Sequence, residues 1–420
     1  MRRVIETLVG FAVLTGVVVG ITTLTPAELP RVTTVEAIRS TKVVCVPAAA
    51  GATVMVDNTT TVTPLGGATT QTNRAVLTGQ ETSVVAEGTD GPTGSTIVGN
   101  DGVRTLTQCV KPVSRGVIAL PATADTQLKI VNPDASEAAI DLTLYGAEGE
   151  IQSLGARGIT LAAYEERAIA LSVLTKKATP VGVSFQASRG RAAVMAITQT
   201  QSSGTAAGPS QLGTSHLLPG IPAGATSSVI VLANPNETRI TANLTAYGTT
   251  PAYHPQGGEN ISIPSHASVS VSLENALLGE ASAIQVSSDA PVMAGMAFTL
   301  GDSAQVAPVS AGTSLGAFTP PGGTLQLTNP GEGDVQATVT ATGADGTEER
   351  ATVTVGTGQT TVHKLPTATE QGQRVVVSSD QPLFGAVVSS GDTGSWAAPL
   401  ESMTKGENPP LAAELDPGLH

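Results

Sequence analysis

Ser314 sits in Gly312-Thr313-Ser314-Leu315-Gly316, which matches the G-x-S-x-G pattern of a nucleophilic serine. Such a serine is activated on a sharp strand-to-helix turn. Here Ala317-Phe318-Thr319-Pro320-Pro321-Gly322-Gly323 follows, and paired prolines and glycines do not open a helix. The pattern therefore predicts a turn between repeats and no nucleophile. The histidines are His216, His254, His266, His363 and His420, and none stands two or four residues from another His or Cys. That spacing predicts no metal site. Glu165-Glu166 and Glu348-Glu349 are adjacent acids in turn-rich stretches and read as solvated surface. Asp289 and Asp380 precede turns, but a calcium site needs several converging oxygens and no Asp-rich motif supplies them. No phosphate loop or dinucleotide fingerprint is present. The expectation is a non-enzyme with no catalytic residue, no metal and no cofactor.

The two cysteines, Cys45 and Cys109, lie in one segment. In an oxidising compartment they would pair and close a loop of about 65 residues, worth a few kcal/mol in the chain-entropy account. The amino terminus agrees with export. Met1-Arg2-Arg3 precedes an uncharged apolar run from Leu8 to Leu24, 17 residues long, enough for a short membrane span. The two arginines place the terminus on the cytoplasmic side and the bulk outside. Residues 1–30 are thus expected to be a transmembrane signal anchor. A cleaved signal peptide is the alternative, although Thr25-Pro26-Ala27-Glu28-Leu29-Pro30 offers no clear small-residue cleavage site.

The elements that position these residues come from a repeat. Leu128-Lys129-Ile130-Val131-Asn132-Pro133 recurs as Ile230-Val231-Leu232-Ala233-Asn234-Pro235 and as Leu325-Gln326-Leu327-Thr328-Asn329-Pro330. A glycine stands 14 residues after each Asn, at Gly146, Gly248 and Gly343, and the periods are 102 and 95 residues. Tyr145 and Tyr247 precede the first two glycines, and Thr342 replaces them in the last copy. A stacking surface would not readily lose one of three rings, so packing is the expected role of both tyrosines. Ser287-Ser288-Asp289-Ala290-Pro291 recurs as Ser378-Ser379-Asp380-Gln381-Pro382 and reads as a turn. Val44-Cys45-Val46-Pro47 before Asp57-Asn58 resembles a degenerate, shorter copy, whose smaller core a disulfide would support.

Within each copy apolar and small polar residues alternate at period two, with turn residues every 8–12 positions. That pattern predicts half-buried strands, and about seven of them in 85–100 residues predict an immunoglobulin-like β-sandwich. The expected organisation is all-β, with tandem sandwiches strung as beads over 42–114, 115–205, 215–305 and 313–400, followed by a disordered acidic tail over 401–420. Gln201 to Thr214 and Asp302 to Thr313 read as linkers. A propeller fits less well, because its blades repeat at about 40–50 residues. Asn132-Pro133, Asn234-Pro235 and Asn329-Pro330 are expected to be structural turns. Trp396 either seals the last strand or offers a contact.

Composition sets limits on partners. The 420 residues include only 2% aromatics and 13% charged side chains, and 34 acids against 21 bases leave a net charge of −13. Such a chain cannot gather phosphates, so no nucleic-acid partner is expected. Few rings are available to stack on bases or sugars. Asn58, Asn236, Asn243 and Asn260 head glycosylation-like triplets, which chance explains in a Thr- and Ser-rich chain.

The Arg2-Arg3 anchor, the Val44-Cys45-Val46-Pro47 opening, the repeated Asn-Pro element, the S-S-D-x-P element and the Trp396 finish together resemble an uncharacterised family of exported actinobacterial envelope proteins, a domain of unknown function. The resemblance implies an envelope location and β-sandwich domains, and carries no catalytic residues. The expected function is a membrane-anchored, extracytoplasmic scaffold or protein–protein interaction module. The alternative is a cell-wall glycan-binding or glycan-assembly accessory protein. The expected partners are the membrane, through one amino-terminal span, and an envelope protein or glycan.

Overall fold

The computed structural model describes residues 41–89, 91–98, 105–121, 124–175, 180–199, 204–366, 372–389 and 395–403. The anchor expected over residues 1–30 and the tail from 404 onward lie outside them. Among the described residues no helix is long and apolar enough to cross a membrane.

The described chain is nearly all strand, and its strands group into four modules. In the first, β1 (Thr41–Cys45), β2 (Ala52–Asp57), β3 (Thr61–Pro64), β4 (Thr70–Gln71), β5 (Arg74–Gln80), β6 (Val84–Gly88), β7 (Thr93–Val98) and β8 (Thr105–Gln108) form two sheets, ordered β1-β6-β3-β4 and β5-β2-β7-β8. The second contains β9 (Arg115–Leu120), β10 (Thr126–Val131), β11 (Ala138–Gly146), β12 (Gly149–Ile151), β13 (Ile159–Leu161), β14 (Glu166–Ala170), a one-turn helix α1 (Leu171–Leu174), β15 (Val181–Arg189), β16 (Ala193–Gln199) and β17 (Gly204–Ala207). Its sheets run β14-β10-β16-β17 and β12-β11-β15-β9. The third has β18 (Gly213–Ile221), β19 (Ser227–Ala233), β20 (Ile240–Tyr247), β21 (Ile261–Ile263), β22 (Ser268–Ser272), β23 (Ser282–Leu300) and β24 (Asp302–Val306). The fourth has β25 (Gly312–Thr319), β26 (Thr324–Thr328), β27 (Val335–Gly343), β28 (Glu348–Val355), β29 (Thr360–Lys364), β30 (Gln373–Ser389), β31 (Trp396–Pro399) and β32 (Glu401–Ser402).

Alternation places the cores. Along β11 and β27 every second residue is buried, and Leu142, Leu144, Val183 and Phe185 of one sheet meet Leu128, Ile130 and Val194 of the other. Burying one such aliphatic side chain contributes roughly 1.5–3 kcal/mol. The first module has a smaller core, built from Val43, Val54, Val56, Val62, Val84 and Ala86 around the cysteines.

Four sequence expectations need correction. The S-S-D-x-P element is not a turn. β23 runs straight through Ser288-Asp289-Ala290-Pro291, and β30 through Ser379-Asp380-Gln381-Pro382. Each strand changes sheet there: β23 pairs β20 up to Ser288 and β19 from Met293. Pro291 falls in the gap between the two ladders, so its missing N–H costs no ladder bond there. Ser314 lies inside β25, opposite Ser378, and not in a turn. The two supposed linkers hold β17 and β24, strands of only four and five residues, too short to show a clear alternation. Glu401–Ser402 pairs with β25 and so belongs to the fourth module.

The modules are also not beads. Each packs on the next, and the fourth packs on the first. Their final strands β8, β17, β24 and β31 touch in cyclic order. The physical reason is a second apolar face. Ala192 to Ile197 is a continuous apolar run: Ala192, Val194 and Ala196 fill the core of their own module, while Ala193, Met195 and Ile197 meet Val44, Val46 and Val85 of the first. Strands buried on both faces read as unbroken apolar runs.

Candidate functional site

The register defines equivalent positions in all four modules. The strand that ends at the Asn pairs its last residue with the first residue of a neighbour: Asp57 with Arg74, Val131 with Glu166, Ala233 with Ser268, and Thr328 with Thr360. Arg74, Glu166, Ser268 and Thr360 each reach the preceding module. Glu166 Oε2 accepts the Ser83 N–H at 2.9 Å. Ser268 Oγ donates to Pro180 O at 2.6 Å. Thr360 Oγ1 donates to Tyr247 O at 2.7 Å, and its N–H donates to Gly248 O at 2.7 Å. Arg74 Nη1 donates to Gly343 O at 3.2 Å, which closes the circle. The junctions are thus head-to-tail: at the second, third and closing junctions the end that carries Tyr145, Tyr247-Gly248 or Gly343 meets the Asn end of the next module. Sequence reasoning missed this set, although Glu166 and Ser268 each stand 34 residues after their Asn and Thr360 stands 31 after its own.

Beside these contacts sit the repeated asparagines. Asn132, Asn234 and Asn329 are buried, and each strand stops one residue before them. Asn234 Nδ2 donates to Thr238 O, Ile263 O and Pro264 O at 2.8, 3.2 and 3.0 Å, and its Oδ1 accepts the Asn236 N–H at 2.8 Å. Asn132 and Asn329 repeat the scheme with Ser136 O and Gly333 O. Each amide ties the loop it heads to the end of a second strand, at Leu161, Ile263 or Val355, and donates to carbonyls in both. The prolines that follow, Pro133, Pro235 and Pro330, lead the chain away from the sheet; Pro133 O accepts from Lys42 Nζ of the first module at 3.1 Å.

Charges reinforce the first junction. Lys42 Nζ and Arg191 Nε both reach the Asp134 carboxylate, at 2.9 and 2.8 Å. The Arg191 hydrogen bond, then Lys42, hold the Asp134 pKa down at about 2 against the opposing effect of burial. Lys129 Nζ donates to Pro47 O at 2.9 Å across the same junction.

Most of the described aromatic residues are taken up in packing, with Tyr164 exposed at 48%. Tyr145 is 8% exposed and stacks on His266 of the third module, centroids 6.2 Å apart. Tyr247 is 6% exposed and meets Phe384 of the fourth module edge-on at 6.1 Å. Trp396 is 4% exposed in the core of its own module, beside Leu325 and Val387, so its place is to seal the final strand rather than to offer a contact. Its neighbour Ser395 donates to Leu300 O of the third module.

The remaining chemical candidates stay apart. His216 is buried, and its Nε2 lies 2.9 Å from Val292 O and 3.1 Å from Gly213 O; burial lowers its pKa. His254 Nδ1 lies 2.8 Å from Leu244 O, His266 Nε2 pairs with Glu237 at 3.0 Å, and His363 sits in β29. His420 lies outside the described residues. Glu165 accepts from Ala162 N–H, whereas its neighbour Glu166 is the junction residue above. Glu348 pairs with Arg350, and Asp289 accepts the Thr241 N–H at the sheet change. Asp380 lies at the equivalent sheet change in β30. Among the described residues no three His, Cys, Asp or Glu side chains cluster as a metal site. Cys45 and Cys109 form a disulfide inside the first module.

A family model matches residues 60–366, most of the chain: the family of unknown function DUF5719. No curated protein matches the sequence. The chain belongs to the DUF5719 family, which carries no assigned function.

Proposed function

We propose that this DUF5719 member is a non-catalytic, membrane-anchored protein of the extracytoplasmic envelope, whose ring of four modules is a scaffold for other proteins. Each module is read as an immunoglobulin-like sandwich, and the Arg2-Arg3 run through Leu24 as the single span that holds the ring at the membrane. The disulfide is in keeping with an oxidising compartment. One observation carries the choice of a protein partner over a glycan: of the rings a sugar platform would need, Tyr145, Tyr247 and Trp396 are 8%, 6% and 4% exposed, Tyr253 is half-buried with its hydroxyl on Ala276 O, and Tyr164 stands exposed by itself at 48%. Sheet edges such as β28, paired on one side only, are the expected contact surfaces.

Membrane fractionation of the full chain, followed by mild crosslinking and affinity capture, tests the reading. The chain should sediment with membranes and carry specific protein partners. Recovery in the soluble fraction, or retention on cell-wall polysaccharide with no protein partner, would overturn it.

A further inference from the structure

The four junctions share a geometry but not a chemistry. At the position that ends the Asn strand, three modules carry Val131, Ala233 and Thr328, all neutral. Val131 enters an apolar cluster with Val44, Val46 and Val85. Ala233 fits against Gly182, where any Cβ would collide with it. Thr328 hydrogen-bonds Thr360 at 2.8 Å. The first module alone carries an acid there, Asp57, and the fourth module meets it with Arg374, Nη1 to Oδ2 3.3 Å. By register Arg374 stands where Gly182 and Ala283 stand in the other modules, opposite the residue before the Gly. A glycine-for-arginine exchange has thus been matched by an alanine-for-aspartate exchange on the facing module.

Arg74 extends the same pattern. It lies 5.3 Å over the Phe318 ring while donating to Gly343 O, and Asp345 faces it electrostatically. Arg74 Nη2 and Arg374 Nε are buried with no hydrogen-bond partner among the described residues. Asp57 is the acid in contact with Arg374, in a pair whose side chains are 15% and 27% exposed. Removing one partner of such a half-buried pair leaves the other charge only partly solvated.

We propose that Asp57, Arg74 and Arg374 form a charge-coded latch, which closes the ring and makes the fourth module accept the first module and no other. An Arg374 side chain could not enter the space that Gly182 leaves for Ala233, and Asp57 would find no cation at Gly182 or Ala283, the counterparts of Arg374. Unpaired charge thus disfavours the wrong order while the ion pair selects the right one. The latch is independent of the scaffold reading, since it concerns how the ring closes and not what it binds.

The test is charge exchange in the full chain, with the disulfide confirmed intact, read by small-angle scattering. The radius of gyration of the detergent-solubilised wild-type chain is the reference. Asp57→Arg and Arg374→Asp should each raise the wild-type value by roughly 3 Å or more, at unchanged circular dichroism. The double exchange should restore it, and Asp57→Asn should open the ring less than Asp57→Arg. Single variants that keep the wild-type radius would overturn the latch. So would a double variant that stays expanded, or an Asp57→Asn protein as expanded as Asp57→Arg.

Discussion

Asn234 shows how much one side chain can hold. Its amide donates to three carbonyls and accepts one N–H, joining its own loop to the end of β21. Asn234→Ala should cost about 2–4 kcal/mol, because a buried acceptor left unpaired loses its full solvation. Urea unfolding would measure this, and a loss under about 1 kcal/mol would contradict the account. His216 makes a prediction with a sign. Burial depresses its folded pKa below the ordinary 6.5, so the neutral form is the one that folding selects. The stability it brings is present above pH 6.5 and is lost as pH falls through the depressed value. The stability of wild type relative to His216→Gln should therefore decline as pH falls below the ordinary 6.5, as unfolding at several pH values would reveal. Asp134 behaves alike at lower pH: its pKa near 2 means that its clamp on Lys42 and Arg191 weakens as pH falls from 3.8 toward 2. These residues differ in legibility. The repeated asparagines stood out by spacing, whereas His216 and Asp134 gain their roles from partners 57 to 92 residues away, even though Asp134 directly follows an Asn-Pro pair.

At the scale of the element, strand periodicity was readable and sheet membership was not. The alternation along β11, β20 and β27 gives the buried face directly. The S-S-D-x-P element misled because Asp and Pro signal turns in isolation, while here they mark the place where one strand leaves one sheet and joins another. The short strands β17 and β24 were hidden for a different reason: four or five residues are too few for a period of two to stand out. Close approach also fixes Gly295 in β23, where an added Cβ would strike Ala119 O of the preceding module. A backbone oxygen cannot swing aside. Gly295→Ala should lower stability by about 1–3 kcal/mol through strain at this junction. A thermal midpoint equal to that of wild type would refute the close contact.

For the whole molecule, the cystine and the latch matter most. Cys45 and Cys109 close a loop with a sequence separation of 64. Val44, Val46 and Val110 beside them form the junction with the second module, and Leu106 packs into the fourth. The chain-entropy account gives such a loop about 4 kcal/mol. Reduction, or replacement of both cysteines by serine, should therefore loosen the first module first and both its junctions with it. Hydrogen exchange should show early loss of protection over residues 41–110, with the second and third modules still protected. Uniform loss along the chain would mean that the ring unfolds as a single unit instead.

What the sequence determined by itself is local and periodic: which residues alternate, where strands stop at Asn-Pro, that a unit of about one hundred residues recurs, and that two cysteines lie within one such unit. Those features follow from backbone geometry and turn chemistry, which act over a few residues. Ring closure was decided only in the tertiary structure. It depends on Ala233 fitting Gly182, on Tyr247 meeting Phe384, and on Asp57 finding Arg374. Such choices rest on the shape and charge of surfaces brought together from distant parts of the chain. A period-two pattern shows that a face is apolar or polar, but not which other face will cover it.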